Sequence, residues 1–143
     1  MPSIRITLFA AGLVLSLGAC PACGRSQPQT TIIQQLNQQL QGVWLLQSYR
    51  PSVPLEMSLQ GMLQSQLSQM QVLVNGSQLT ATGPGVSATR NYQIEEVLDK
   101  TATLVVSEPS GVSIRVWIEI RGRTLTFRPL SAPWSGEGTL QRL

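Results

Sequence analysis

Few side chains in this chain could do covalent, acid–base or metal chemistry. Cys20 and Cys23 stand as Cys20-Pro21-Ala22-Cys23, the spacing of a redox thiol pair or of half a zinc site. Glu95 and Glu96 are adjacent, Lys100 is the only lysine, and Ser135 lies within Trp134-Ser135-Gly136-Glu137-Gly138. There is no histidine, which removes a His-based triad and a His general base. A zinc site needs two further ligands, and the chain has no third cysteine to offer. A thioredoxin-type pair opens a helix after a buried strand, whereas Cys20 follows an apolar N-terminal run. Neighbouring glutamates on a strand point to opposite faces, so Glu95 and Glu96 are not expected to work as paired acid and base. Ser135 lacks nucleophile-elbow spacing, and a Ser–Lys pair needs a desolvated lysine, not one in a turn. Gly83-Pro84-Gly85 is followed by no helix carrying Lys-Ser/Thr, so it reads as a turn and not a phosphate loop. The expectation is a non-enzymatic protein with no metal and no cofactor.

The chemistry that remains is at the N-terminus. Met1–Arg5 carries one positive charge and Ile6–Leu17 is a twelve-residue run of apolar and small residues. That run is too short to span a bilayer, which takes about twenty residues, and fits the h-region of a secretory signal. It ends in Leu17-Gly18-Ala19-Cys20. This resembles the lipobox of bacterial lipoprotein precursors: a branched residue, two small ones, then Cys. The resemblance implies cleavage before Cys20 and acylation of its thiol, such as by palmitate-length chains. Each buried methylene contributes about 0.8 kcal/mol, so several acyl chains hold a protein firmly on a membrane. Pro21 follows the cysteine in place of the Asp that resembles an inner-membrane retention signal. The expected location is therefore the bacterial cell envelope, at the outer membrane and facing the periplasm.

The organisation follows from that address. Residues 1–19 read as a signal peptide, residues 20–30 as the lipidated cysteine and a flexible tether, and residues 31–143 as one folded domain. The chain has 143 residues and a formal charge of +3. Cleavage removes Arg5 and leaves nine basic against seven acidic side chains, near +2. Charged residues make up 12% of the sequence, too few for a nucleic-acid surface. Arg115, Arg121, Arg123 and Arg128 form a candidate basic stripe near the last hairpins, with Glu119 among them.

Thr31-Ile32-Ile33-Gln34 fits a helix start, and Ile32, Ile33, Leu36 and Leu40 follow at helical spacing until Gly42. A second helix fits Pro54 to about Gln69, with Leu55, Leu59, Met62, Leu63, Leu67 and Met70 on one face. The rest alternates as short strands with tight turns at Asn75-Gly76, Gly83-Pro84-Gly85, Asp99-Lys100, Glu108–Gly111 and Arg121–Arg123. Eight strands are expected: residues 43–49, 71–74, 78–82, 89–98, 101–107, 113–120, 124–128 and 138–142. Ile114, Val116, Ile118 and Ile120 share one face, while Arg115, Glu119 and Arg121 share the other. An apolar face opposite a wet one suits a closed barrel or a two-layer packing.

Gly42-Val43-Trp44 opens the first strand directly after a helix, and Arg142 lies one residue from the C-terminus. This is similar to the G-x-W and terminal basic residue of lipocalin-like (calycin) barrels. The resemblance implies a mainly β fold, an eight-stranded antiparallel up-and-down barrel with a short N-terminal helix. A further helix sits here between strands 1 and 2. It also implies that Trp44 sits at the closed base with Arg142 packed across it, a contact of about 0.5–2 kcal/mol. An eight-stranded barrel holds packed side chains or one small ligand. Candidate cavity residues are Leu46, Met62, Ile94, Val116, Ile118 and Phe127. The expected partners are the membrane, through the lipid anchor, and either a small apolar ligand or an envelope protein contacted through Trp117 or Trp134. Mass spectrometry of protein taken from native membranes should find acyl groups on Cys20. Recovery of an unmodified chain that still carries residues 1–19 would rule out the anchor.

Overall fold

Two-residue turns at Gly76-Ser77, Pro84-Gly85, Asp99-Lys100 and Gly122-Arg123 reverse the chain between successive strands. The computed structural model describes residues 29–131 and 135–143. The lipobox, Cys20, Cys23, most of the tether and Trp134 lie outside the described residues. The strands are β1 (Gly42–Pro51), β2 (Gln71–Asn75), β3 (Gln78–Gly83), β4 (Val86–Leu98), β5 (Thr101–Ser107), β6 (Ser113–Arg121), β7 (Thr124–Pro129) and β8 (Gly136–Arg142). Each pairs antiparallel with the next, and β8 returns to pair with β1, so the sheet is a closed eight-stranded barrel. Helix α1 (Gln29–Leu40) precedes β1, and α2 (Met57–Leu67) links β1 to β2. Among the described residues no helix is long and apolar enough to cross a membrane.

Closure gives the barrel two unlike ends. The base collects the start of β1, the end of β8 and the β2–β3, β4–β5 and β6–β7 turns, with α1 packed beneath. The opposite end collects the end of β1, α2 and the β3–β4, β5–β6 and β7–β8 connections. Helix α1 buries Leu36 and Leu40, one turn apart, and leaves Gln34, Gln35, Gln38 and Gln39 exposed. That is the amphipathic division its sequence spacing predicts.

Two irregularities decide which side chains face inward. In β1 the register shifts between Leu46 and Ser48, so Trp44, Leu46 and then Tyr49 point into the barrel. In β4 it shifts between Ile94 and Glu96, so Tyr92 and Ile94 face inward and Val97 follows them. An extra residue in one strand reverses the alternation beyond it. The expected opposition of Glu95 and Glu96 is thereby corrected: both are exposed on the outer surface. Glu95 is gripped there by Arg115 through two bonds of 2.8 Å, which hold its carboxyl below the usual carboxylate range.

Three of the four arginines of the candidate basic stripe are paired with carboxylates, while Arg123 donates to Arg142 O at 2.8 Å. Arg115 pairs with Glu95, Arg121 with Glu119 at 2.7 Å, and Arg128 with Glu137. Arg128 also lies over the outer-face ring of Trp117, 4.6 Å from its centroid. Exposed pairs of this kind are screened by water, so they fix side chains more than they stabilise the fold.

The second helix departs from the reading of its sequence. Leu55, Leu59 and Met62 are exposed, and Met57 is 91% exposed. Only Leu63, Leu67 and Met70, toward its C-terminal end, meet the core. The helix is tied there by Met70 N–H to Leu67 O and by Leu46 N–H to Met70 O, both 3.0 Å. Its apolar stripe is interrupted by Gln and Ser and by Gly61, so one pinned turn outweighs the face as a whole.

No polar or charged side chain is fully buried among the described residues, and Trp44 has no exposed surface. Trp44→Ala should cost about 3–5 kcal/mol in chemical denaturation, as a large buried ring removed from a filled base. A loss near zero would contradict the placement of the ring as the floor of the barrel.

Candidate functional site

The base is built around the unpaired end of α1. The last carbonyls of a helix have no partners within it. Here Trp44 Nε1 donates to Leu40 O at 2.8 Å, and Arg142 Nη2 donates to Gln41 O at 2.9 Å and to Gln39 O. The Arg142 guanidinium carbon lies 4.7 Å from the centroid of the Trp44 ring. Trp44 and Arg142 are also opposite one another in the β1–β8 ladder, so backbone pairing sets the stack. Gly42 turns the chain from α1 into β1 at φ +122°, a conformation that side-chain-bearing residues rarely adopt. Gly42, Trp44 and Arg142 thus meet at one place.

A polar cluster seals the same end. Gln41 accepts the Gly76 N–H at 2.7 Å, and its amide donates to Asn37 O at 2.9 Å. Tyr92 donates toward Asn37 Oδ1 and Gly76 O. Burial raises the Tyr92 hydroxyl above its ordinary pKa, and its hydrogen bond with Gln41 acts in the opposite direction. An open depression of about 360 Å³ outside the base is lined by Gln39, Lys100, Ile120, Arg121, Gly122 and Arg142. Two of its three cations are already engaged, Arg121 with Glu119 and Arg142 with the carbonyls of α1.

Above the floor lies a cavity of about 290 Å³. Leu40, Trp44 and Val74 line its lower part, and Leu46, Leu104, Ile118, Leu125 and Leu140 its middle. Met70, Val72, Val106, Val116, Phe127 and Pro129 line it toward the α2 end. Every lining residue is apolar, so the space offers dispersion contacts and no ionic or hydrogen-bonding side chain.

The structure brings Leu46, Val116, Ile118 and Phe127 together in this wall. It does not bring Met62, which is 59% exposed on α2. Ile94 faces inward but packs against the core outside the lining, near Leu104 on the neighbouring strand. Leu104, Val106 and Leu125 were on readable apolar faces and could have been named from alternation alone. Met70 and Pro129 enter through the geometry of the connections, for which strand periodicity gives no signal.

Among the described residues no three His, Cys, Asp or Glu side chains gather as a metal site. The four carboxylate–arginine pairs among the described residues are spread over the outer wall and do not converge on the cavity. What the arrangement can do is hold a hydrophobic molecule out of water. No protein-family model, curated protein or solved structure matches the chain.

Proposed function

We propose that this chain is a lipid-anchored, non-enzymatic binding module of the bacterial cell envelope, whose barrel takes one small apolar ligand or lipid. Acyl groups on Cys20 would moor it at the outer membrane, facing the periplasm. The observation that carries the ligand reading is the apolar cavity of about 290 Å³ inside a closed sheet. Apolar cavities of roughly half this size stay dry and take up apolar guests. Moving an apolar ligand from water into such a space contributes about 25 cal/mol per Å² of surface removed from water. With no polar side chain in the wall, selectivity comes from fit and from how much of the ligand is covered.

A second reading, an interaction module for an envelope protein such as a protease inhibitor or an assembly accessory, is favoured by one observation. Met57, Leu59 and Met62 are exposed on α2, and methionine-rich surfaces repack against varied partners. Trp117 gives this reading less, since Arg128 covers its ring.

Native mass spectrometry of protein isolated from membranes separates the two. The ligand reading predicts a non-covalently held apolar molecule in the wild type and its absence from Val116→Phe, which fills the cavity. Protein that carries no such molecule, and takes up no xenon when stripped, would refute the ligand reading. A polypeptide retained by wild type and Val116→Phe alike, but lost on Met57→Asp, would support the second.

A further inference from the structure

We infer that the α2 end of the barrel docks on a lipid bilayer, setting the apolar tips of its four connections beneath neutral headgroups. The contact is additional to the proposed acyl anchor and belongs to the folded domain itself.

Exposed apolar side chains collect at that end. Val53, Leu55, Met57, Leu59 and Met62 lie on α2 and on the segment leading into it, and all are exposed. The other three connections there each add one that is more than half exposed: Val86 at the β3–β4 turn, Val112 before β6 and Leu130 after β7. Among the described residues, the large apolar side chains exposed elsewhere are Leu73, Leu98 and Leu143. Because the sheet is closed, the four connections ring the barrel end. Apolar surface concentrated in this way marks a contact with a protein or a membrane.

Residue type and charge favour the membrane. Protein interfaces draw most of their binding energy from Trp, Tyr and Arg, with Leu and Val under-represented. The exposed apolar side chains here are all Val, Leu or Met. Between Ser52 and Met70 the only ionisable side chain is that of Glu56. On the strands that lead to this end, Arg90 pairs with Glu108, Arg115 with Glu95 and Arg128 with Glu137. Arg50 and Glu56 remain, one charge of each sign. An anionic membrane calls for a basic patch, whereas a balanced end with few ions to desolvate suits a zwitterionic one. A bilayer also meets tips on four separate connections at once, with no shape of its own to match.

The length of chain before α1 allows the contact. Cys20 lies nine residues before Gln29, a span of up to about 30 Å. The ten residues of β1, inclined as barrel strands are, rise about 25 Å from base to α2 end. An anchor at Cys20 and the α2 end can therefore reach the same membrane.

The methionines supply the test. Met57 and Met62 are exposed on α2, whereas Met70 packs against the core. Full-length protein with isotope-labelled methionine methyl groups is placed in phosphatidylcholine bicelles and examined by NMR. A water-soluble gadolinium chelate should broaden the Met57 and Met62 methyl signals without lipid, and at least about fivefold less with it, as expected of side chains sunk several ångströms into the interface. A spin label on the lipid chains should broaden both more than Met70. In Met57→Asp/Leu59→Asp, which changes only exposed positions, the Met62 methyl should regain its access to the chelate. An acyl anchor alone leaves both methyl groups open, so chelate access that is equal with and without lipid would overturn this inference and leave the anchor standing. Shielding without lipid that grows with protein concentration would overturn it in favour of a second copy. Shielding that requires phosphatidylglycerol and is lost in high salt would overturn it as well, since a neutral end cannot produce that dependence.

Discussion

The helix that plugs the base of the barrel ends in carbonyls with no partners of their own, and side chains from the two ends of the strand order satisfy them. Trp44 comes from the first strand and Arg142 from the last. The indole N–H takes one carbonyl and the guanidinium takes two more, while the guanidinium lies on the ring. A charged group near a helix C-terminus is also favoured by the helix dipole, and α1 has no basic residue of its own in its last turn. The contact thus joins three things: the helix is capped, the floor is filled and the sheet is closed. It has a cost as well. Arg142 Nε is the one buried side-chain polar atom left without a hydrogen bond among the described residues. That loss is tolerable because the guanidinium has the π face beneath it and two carbonyls in reach of Nη2.

Closure at one end leaves the other to differ. The base holds helix, indole and a polar seal of Asn37, Gln41, Tyr92 and the Gly76 turn. Among the described residues the α2 end has no comparable plug, since α2 packs only through Leu63, Leu67 and the following Met70. The apolar space runs from Leu40, Trp44 and Val74 at the base toward Met70 and Phe127 at the α2 end. That space is walled by strands, floored by an aromatic ring and lined by apolar side chains.

Much of the fold was legible because alternation is a direct consequence of strand geometry. Val116, Ile118 and Ile120 on β6, or Leu104 on β5, cannot face inward without Arg115 and Glu119 facing out. The base was legible through the resemblance that its residues carry: a glycine at a helix-to-strand corner, a tryptophan two residues on and an arginine in the last strand. What escaped was whatever depends on a one-residue insertion or on a long connection. The shift beyond Leu46 turns Tyr49 inward, and the shift beyond Ile94 carries Glu95 and Glu96 to the same outer surface. Neither leaves a mark in a period-two pattern. Met62 carried the helical spacing of a core residue, yet α2 is anchored at one end only, so the spacing described a face that nothing covers. The cavity was the hardest to see, because its lining is assembled from strands and connections far apart in the chain.

The claim on which the rest depends is that Trp44 and Arg142 lock the base shut, and the most direct measurement is hydrogen exchange at the Trp44 indole Nε1–H by NMR. The Trp117 indole on the outer face serves as internal reference. The lock predicts that the Trp44 proton exchanges as slowly as the best-protected strand amides, opening only with the whole barrel. Exchange at the rate of Trp117 would mean that the floor opens independently of the sheet, and would contradict the account.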